Sequence, residues 1–430
     1  MNYKHVVTSF LMAEQRILLL HRSDKVGTHR GKWSGVSGYL EGDEQPLMRA
    51  LTEIREETGL SAEQVSLVRM GEALRAFDES TGTVWIIHPF LFETKSNAIR
   101  LDWENTEYAW VAPSNLTSYD MVPKLGQAFD RVRFDLQSVP ASLTDVTHNV
   151  EALKDDKVHG ASYFARRAVG LLSEAAQASD ATDADSLFSH LLFTTSRLRR
   201  VQPAMANVWN LTGKFLYLVD QQRGNASVEE LRSFVQKLAQ QLSNQVNENS
   251  EEVSRNSVHV LPQDGIVLTH SYSSTVFRTL ELGFKGGRHF SVYATESYPG
   301  MEGKQFAKDL IALGVPVTLI ADSAVPSVIS NVRLVLVGAD SVLRDGSLVH
   351  KTRTREIGIA ARKYGVPLYS SCETEKFSIQ DFLGERPEIS PTLFDVTPPE
   401  LVSNYMTEEG ELAPSRVEMR TRDMQREVYS

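Results

Sequence analysis

Two short apolar runs open the chain. Val6–Met12 and Arg16–Leu20 flank the polar step Ala13–Gln15, which predicts a strand pair joined by a turn. Residues 32–40 lead into a stretch of different period, GYLEGDEQPLMRALTEIREETGL at 38–60. There Leu47, Ala50, Leu51, Ile54 and Thr58 recur at helical spacing and form one narrow apolar stripe. Asp43 is the expected N-cap, Pro46 is tolerated in the first turn, and Gly59 is a natural stop. Val84–Glu93 reads as an apolar, aromatic-rich strand and Glu107–Val111 as another. The segment 114–132, SNLTSYDMVPKLGQAFDRV, predicts a terminal helix, and 138–149 a linker or helix start.

Residues 148–257 keep helical periodicity. Amphipathic helices are expected over 159–177, over 186–203 up to Pro203, and over 227–257, where Ser227 and Glu230 form a capping-box pattern. From 258 the period shortens. Apolar runs at 265–271, 289–297, 315–322, 332–340 and 366–373 alternate with helical segments such as 303–313 and 354–364. That alternation predicts a parallel sheet with helices on both faces. Ligands of such sheets sit beyond the carboxyl ends of the strands, where His270–Ser274, Glu296, Ser297, Asp322 and Asp340 fall.

A chain of 430 residues exceeds one ordinary core, so two or three domains are expected. The net charge of −10 argues against a broad nucleic-acid footprint. A single cysteine, Cys372, excludes an internal disulfide and suits a reducing compartment, the cytoplasm. The first apolar run is too short for a signal peptide, and no stretch approaches membrane-spanning length.

The chemistry concentrates on the 38–60 segment. Glu53, Glu56 and Glu57 stand at i, i+3 and i+4, on an arc expected to turn away from the apolar stripe. Like charges so placed repel mildly, and a hard divalent ion with oxygen ligands removes the repulsion. Upstream, the loop 21–33 carries His21, Arg22, Lys25, His29, Arg30 and Lys32. It reads equally as a phosphate-receiving loop and as a solvated basic loop.

The spacing Gly38-x5-Glu44-x7-Thr52-Glu53-Ile54-Arg55-Glu56-Glu57-Thr58-Gly59-Leu60 resembles the Nudix box. The one departure is Thr52, where that family has Arg. The resemblance implies an α/β/α sandwich with a mixed sheet over 1–137. It also implies hydrolysis of a nucleoside diphosphate derivative, of ADP-ribose or nucleotide-sugar type, with Mg2+ or Mn2+. Glu53, Glu56 and Glu57 would be catalytic and would hold the metal with the Gly38 carbonyl. Glu44 and Gly59 would support the box. Arg49, one turn before Glu53, is expected to replace the missing Arg as the partner that orients a carboxylate.

A second resemblance covers roughly 148–417. The ordered blocks LTHSYSSTV, ATESYPGMEGKQFAKDL, LIADSAV and VLVGADSVLRDGSLVHKTRT are similar to the regulatory subunits of translation initiation factor 2B. The same family includes methylthioribose-1-phosphate and ribose-1,5-bisphosphate isomerases. The resemblance implies a helical part at 148–257, a Rossmann-like part at 258–417 and a tail at 418–430. It also implies homo-oligomerisation and a phosphosugar or nucleoside monophosphate ligand held by His270, Ser271, Ser273, Ser274, Glu296, Glu302, Asp340, Lys351 and Arg353.

Several isomerase positions differ. Ser271 stands where the isomerases have an acidic Cys, Tyr298 and Gln202 where they have Arg, and Glu302 where they have Gln, while Asp340 and Lys351 survive. A serine hydroxyl is far too weak an acid for the thiol's role. The second half is therefore expected to bind or regulate rather than isomerise. The alternatives are an aldose–ketose isomerase and a non-catalytic scaffold of the initiation-factor type. No membrane partner and no direct nucleic-acid partner is expected.

Overall fold

The computed structural model describes residues 2–41, 44–71, 73–78, 83–133, 139–156, 159–224, 226–380 and 388–429. The chain divides into two compact units, the first ending at Ser138 and the second beginning at Val139.

The first unit contains β1 (Asn2–Ala13), β2 (Arg16–Arg22), β3 (Trp33–Ser34), β4 (Val36–Tyr39), α1 (Pro46–Thr58), β5 (Val65–Met70), β6 (Leu74–Asp78), β7 (Thr83–Thr94), β8 (Asn105–Val111) and α2 (Leu125–Arg133). β1 is the hub. It runs parallel to β7 and antiparallel to β4, and meets β2 only at the tip, where Met12 faces Ile17 and Ala13 faces Arg16. β2 continues the sheet to β3 and β8, and β7 carries β5 and β6.

Successive residues of these strands serve opposite faces, as a period of two requires. Val7, Leu11, Leu18 and Leu20 pack with Ala50 and Ile54 of α1. Phe10, Ile17, Leu19, Trp85 and Ile87 pack with Ala128, Phe129 and Val132 of α2. Each such side chain taken wholly out of water stabilises by roughly 1.5–3 kcal/mol. The unit is thus the mixed-sheet α/β/α sandwich expected from the sequence.

Several details differ from expectation. α1 begins at Pro46 with Gln45 as N-cap and no side-chain cap, whereas Asp43 lies outside the described residues. Gly59 ends α1 in the left-handed region at φ 73°, and its N–H donates to the Arg55 carbonyl. The terminal helix is found at Leu125–Arg133: Lys124 before it sits in the left-handed region at φ 66°, and 113–118 forms a 3-10 turn instead. The acids of α1 do not share one solvated arc: Glu53 and Glu57 are buried, and only Glu56 is exposed.

The second unit opens with α3 (Thr144–Ala152), so 138–149 holds a helix start, and continues with α4 (Ala161–Ala178), α5 (Ala184–Val201), α6 (Ala206–Arg223) and α7 (Val228–Ser257). The Ser227–Glu230 capping box of α7 forms in both directions. There follow β9 (Asp264–Thr269), α8 (Ser274–Lys285), β10 (His289–Thr295), α9 (Glu302–Ala312), β11 (Val317–Ile320), α10 (Val325–Val328), β12 (Val332–Val337), β13 (Ser341–Val342), β14 (Leu348–Lys351), α11 (Thr354–Lys363), β15 (Leu368–Ser371), β16 (Phe394–Thr397), β17 (Asn404–Thr407), β18 (Gly410–Leu412) and α12 (Val417–Tyr429).

The main sheet runs β11-β10-β9-β12-β15-β17-β18, parallel as far as β17 and closed by an antiparallel β18. One face packs Val267, Val292 and Leu336 with Leu280 of α8 and Phe306 of α9. The other packs Leu268, Val335 and Leu368 with Ile357 and Ala361 of α11. Helices on both faces were expected. The antiparallel edge and the small sheet β13-β14-β16 were not. Residues expected to form a tail belong to α12, whose Val417 and Thr421 are fully buried. No helix among the described residues is long and apolar enough to cross a membrane.

Candidate functional sites

In the first unit a cleft of about 690 Å³ lies against α1 and the sheet, within the roughly 300–1,000 Å³ typical of small-molecule sites. Its acidic end is lined by Glu53, Glu56, Asp102 and Glu104, with Arg22 and Arg49 beside them. Val6, Ala76, Ile87, Trp85 and Tyr39 give it an apolar floor, with Thr8, Thr28, His29, Ser34 and Ser37 along its other walls. Register places Val6 opposite both Tyr39 and Ile87, and Trp85 opposite Ala76, so four strands contribute to one continuous floor. The Tyr39 and Trp85 rings lie 5.5 Å apart at 35°, and the Lys4 ammonium sits 5.5 Å from each ring centre. Trp103 lines the same cleft, 59% exposed on a loop pinned by the Ser23 hydroxyl donating to the Trp103 carbonyl.

The three box glutamates have three different environments. Glu57 is fully committed to the protein: one oxygen accepts from the Ser37 N–H at 2.8 Å and the other from the Asn105 amide at 2.8 Å. Burial nevertheless raises its pKa to about 8. The Glu53 carboxylate is held by the Arg49 guanidinium, the contact expected of Arg49 in place of the missing box arginine. Burial raises its pKa to about 7 against the opposing pull of Arg49. A Cβ on Gly38 would fall 1.6 Å from Glu53 Oε1, so the carboxylate fills the space that only glycine leaves open. Glu56 faces the cleft and solvent. Thr52 turns back on its own helix, its hydroxyl donating to the Met48 carbonyl at 3.0 Å. Burial also raises Glu104.

Of the basic loop, only Arg22 and His29 line the cleft. Lys32 is paired with Asp120 at 2.6 Å, Arg30 donates to the Val26 carbonyl at 2.8 Å, and His21 bonds the Thr106 hydroxyl at 2.9 Å. Most of the loop's charge therefore shapes the loop. Sequence reasoning missed Asn105, Asp102 and Glu104, which no spacing signals, and the Tyr39–Trp85 wall, which depends on strand register.

Among the described residues no three His, Cys, Asp or Glu side chains surround one point that would hold a metal ion. The donor set at the acidic end is nonetheless all oxygen, as a hard divalent ion requires. Glu53 already carries a stand-in cation in Arg49. Glu53 and Glu56 fit such an ion in kind, whereas both Glu57 oxygens are engaged elsewhere.

In the second unit the ends of β9 and β12 and the start of α8 border a much smaller cleft of about 50 Å³. Ser271, Ser273, Ser274, Glu302, Asp340 and Lys351 come together there, joined by His159, His350 and Lys376, which sequence reasoning missed. Ser271 sits in the left-handed region at φ 66°, its N–H donating to the Ser297 hydroxyl at 2.6 Å. Ser273 caps α8. Asp340 is buried, and burial raises it to about 6 against the pull of Lys351 and Lys376. Lys376 is itself buried and paired with Glu373 at 2.9 Å, which also accepts from the Ser162 hydroxyl. The only local signal for that pair was a Lys three residues after a Glu, in Glu373-Thr374-Glu375-Lys376.

Three expected residues, His270, Glu296 and Arg353, lie elsewhere, as does Gln202. His270 is buried behind the cleft, bonded to the Thr295 hydroxyl at 2.6 Å and the Thr352 carbonyl at 2.9 Å. Glu296 pairs with Lys304 at 3.4 Å. Arg353 pairs with Glu356 on the first turn of α11 and does not line the cleft. Gln202 donates to the Leu153 carbonyl, holding the end of α3.

Comparison with known proteins agrees with this division. Residues 157–389, more than half of the chain, match the model of the initiation factor 2 subunit family. The chain belongs to that family. Residues 3–132 match the NUDIX domain model. An eIF-2B subunit 2-like protein of Pyrococcus furiosus is 30% identical over 281 residues, covering 62% of this chain and 96% of that protein. A ribose 1,5-bisphosphate isomerase of Haloferax volcanii is 29% identical, covering 62% of this chain and 88% of the relative. The crystal structure of eIF-2B from Pyrococcus horikoshii superposes with a TM-score of 0.55 at 23% identity, over 65% of this chain and 99% of that one. The chain thus joins a Nudix domain, a hydrolase module, to an initiation-factor-2B-type module also related to isomerases.

Proposed function

We propose that the first unit is a metal-dependent pyrophosphohydrolase acting on a nucleoside diphosphate derivative such as ADP-ribose or a nucleotide sugar. The observation that carries this is the acidic end of the 690 Å³ cleft, where Glu53 and Glu56 stand beside an aromatic floor large enough for a nucleoside. Glu53 and Glu56 would hold Mg2+ or Mn2+, with the Gly38 carbonyl beside them. Such an ion supplies charge neutralisation of the phosphates and lowers the pKa of water. The chain's own residues do the positioning. Arg49 orients Glu53, Ser37 and Asn105 hold Glu57, and Arg22 offers a cation at the cleft wall. Glu44 and Gly59 keep the box loop and helix end in place.

The second unit, in this reading, is a binding and assembly module in the cytoplasm, with a phosphosugar or nucleoside monophosphate as its ligand. Homo-oligomerisation belongs to the same reading; a neighbour of the same fold is the tetrameric eIF2B-β2δ2 complex of C. thermophilum. An isomerase reading finds less support, since Ser271 occupies the thiol position and both lysines lining the cleft are paired. The test is a screen of nucleoside diphosphate derivatives with Mg2+ and Mn2+, comparing the full chain with Glu56→Gln. Metal-dependent release of a nucleoside monophosphate or sugar phosphate by the wild type alone is the expected result. No turnover on any pyrophosphate, beside an active control enzyme, would remove the reading.

A further inference from the structure

The small cleft of the second unit has a feature that the phosphosugar reading does not supply. Its cations are spent within the protein. Lys351 Nζ lies 2.8 Å from Glu302 Oε1, and Lys376 Nζ lies 2.9 Å from Glu373. Burial pushes His350 well below its ordinary range, and His159 is bonded to Asp156 at 2.8 Å.

Glu302 is placed for this role by the backbone. It is the first residue of α9, after Met301 in the left-handed region at φ 61°, with its side chain only 11% exposed. A Cβ on Gly300 would meet its carboxylate at 2.5 Å, so the carboxylate is folded back onto glycine. Its second oxygen, Oε2, is buried and has no hydrogen-bond partner among the described residues. An acid in the first turn is favoured by the helix dipole, which accounts for a glutamate at this position. The dipole does not account for the reach to a lysine on β14, nor for the orphaned oxygen. An unpaired buried acceptor costs roughly 1–3 kcal/mol. The Glu302 field also adds to the upward pressure on Asp340. With the pair in place the cleft offers only about 50 Å³, enough for a few waters.

We propose that Glu302 is a built-in anion that occupies the place of a ligand phosphate on Lys351. The cleft takes a phosphomonoester only when that carboxylate swings out, and Glu302 therefore sets both its affinity and its selectivity. This rests on the reading of the cleft as a phosphomonoester site. Two sources share the chemistry, a sugar phosphate and a nucleoside monophosphate, and ribose 5-phosphate and AMP separate them.

The experiment is titration calorimetry on the full chain with each probe, for wild type, Glu302→Gln, Glu302→Ala and the double variant Glu302→Gln/Lys351→Gln. Thermal melting of each protein checks folding, and Glu302→Ala serves if the amide variant does not fold. Removing the carboxylate is expected to tighten at least one probe by tenfold or more, and the added Lys351→Gln change to abolish the gain. Wild-type binding as tight as that of the Glu302 variants overturns the proposal and leaves the phosphomonoester reading standing. A gain that survives loss of Lys351 also overturns it. No binding of either probe by any folded variant overturns both.

Discussion

The two clefts use the same materials to opposite ends. Each sets buried carboxylates beside lysine or arginine. In the first unit the acids outnumber their partners. Arg49 holds Glu53, while burial pushes Glu53 up to about 7 and Glu57 to about 8. The deficit lies beside an open space of 690 Å³. In the second unit Glu302 meets Lys351 and Glu373 meets Lys376, with Asp340 a third acid beside the two lysines, and the remaining space is 50 Å³. Buried charge left unbalanced calls for a cation from outside, whereas balanced buried charge shuts a site until something breaks a pair.

The sharpest way to break this comparison is to remove one acid from the unbalanced site. Glu56→Gln should lower metal-dependent turnover by about 10²–10⁴-fold, the range expected for loss of a group acting directly on reacting atoms. Its melting temperature should stay near wild type because Glu56 is exposed. Unchanged turnover would show that the acid excess has no chemical use.

Removing a partner from the balanced site should act on stability instead. Lys376→Met leaves Glu373 buried and uncompensated, and should cost about 3–5 kcal/mol in urea unfolding. A loss below about 1 kcal/mol would mean that the pair is not holding the cleft together.

Asp340 adds a pH arm. Its folded pKa, about 6, lies above its ordinary 3.8, so between these values the folded state binds more protons than the unfolded state. Stability from this group is therefore greatest below about pH 4 and declines as pH rises to about 6. Its full extent is about 3 kcal/mol at roughly 1.4 kcal/mol per pKa unit. The wild type minus Asp340→Asn difference in unfolding free energy, measured at pH 4 and pH 7, should show that decline. A flat difference would place Asp340 in a more hydrated setting than the cleft gives it.

The smallest effect concerns Arg49. Arg49→Ala should reduce turnover by about tenfold, with Arg49→Lys recovering part of it, since lysine keeps the charge but not the fork. Undiminished hydrolysis in Arg49→Ala would mean that Glu53 needs no orienting partner in place of the box arginine.

Much of this architecture was legible in the chain. Helix α1 and its Gly59 stop follow from spacing and local backbone preference, and so does the Ser227–Glu230 box. The parallel pairing of β9, β10, β11, β12 and β15 followed from short apolar runs alternating with helices. The resemblance ends at 417 and so implies a tail at 418–430, whereas residues 418–429 belong to α12, whose Thr421 is fully buried. The strands β13, β14 and β16 run two to four residues and carry too little periodicity to register.

At the sites, sequence alone determined which groups were available: the carboxylates of α1, Arg49 one turn before Glu53, Asp340 and Lys351. Spacing along a helix is local, so the Arg49–Glu53 contact could be expected before any fold was known. Only tertiary structure decided what each group does. Glu57 became a buried anchor because Ser37 and Asn105, from different strands, converge on it. Glu302 became an internal anion because β14 carries Lys351 to the start of α9. His270 and Arg353 left the cleft for other partners. Desolvation and long-range pairing depend on what the fold brings alongside a residue, and neither is written in its immediate neighbours.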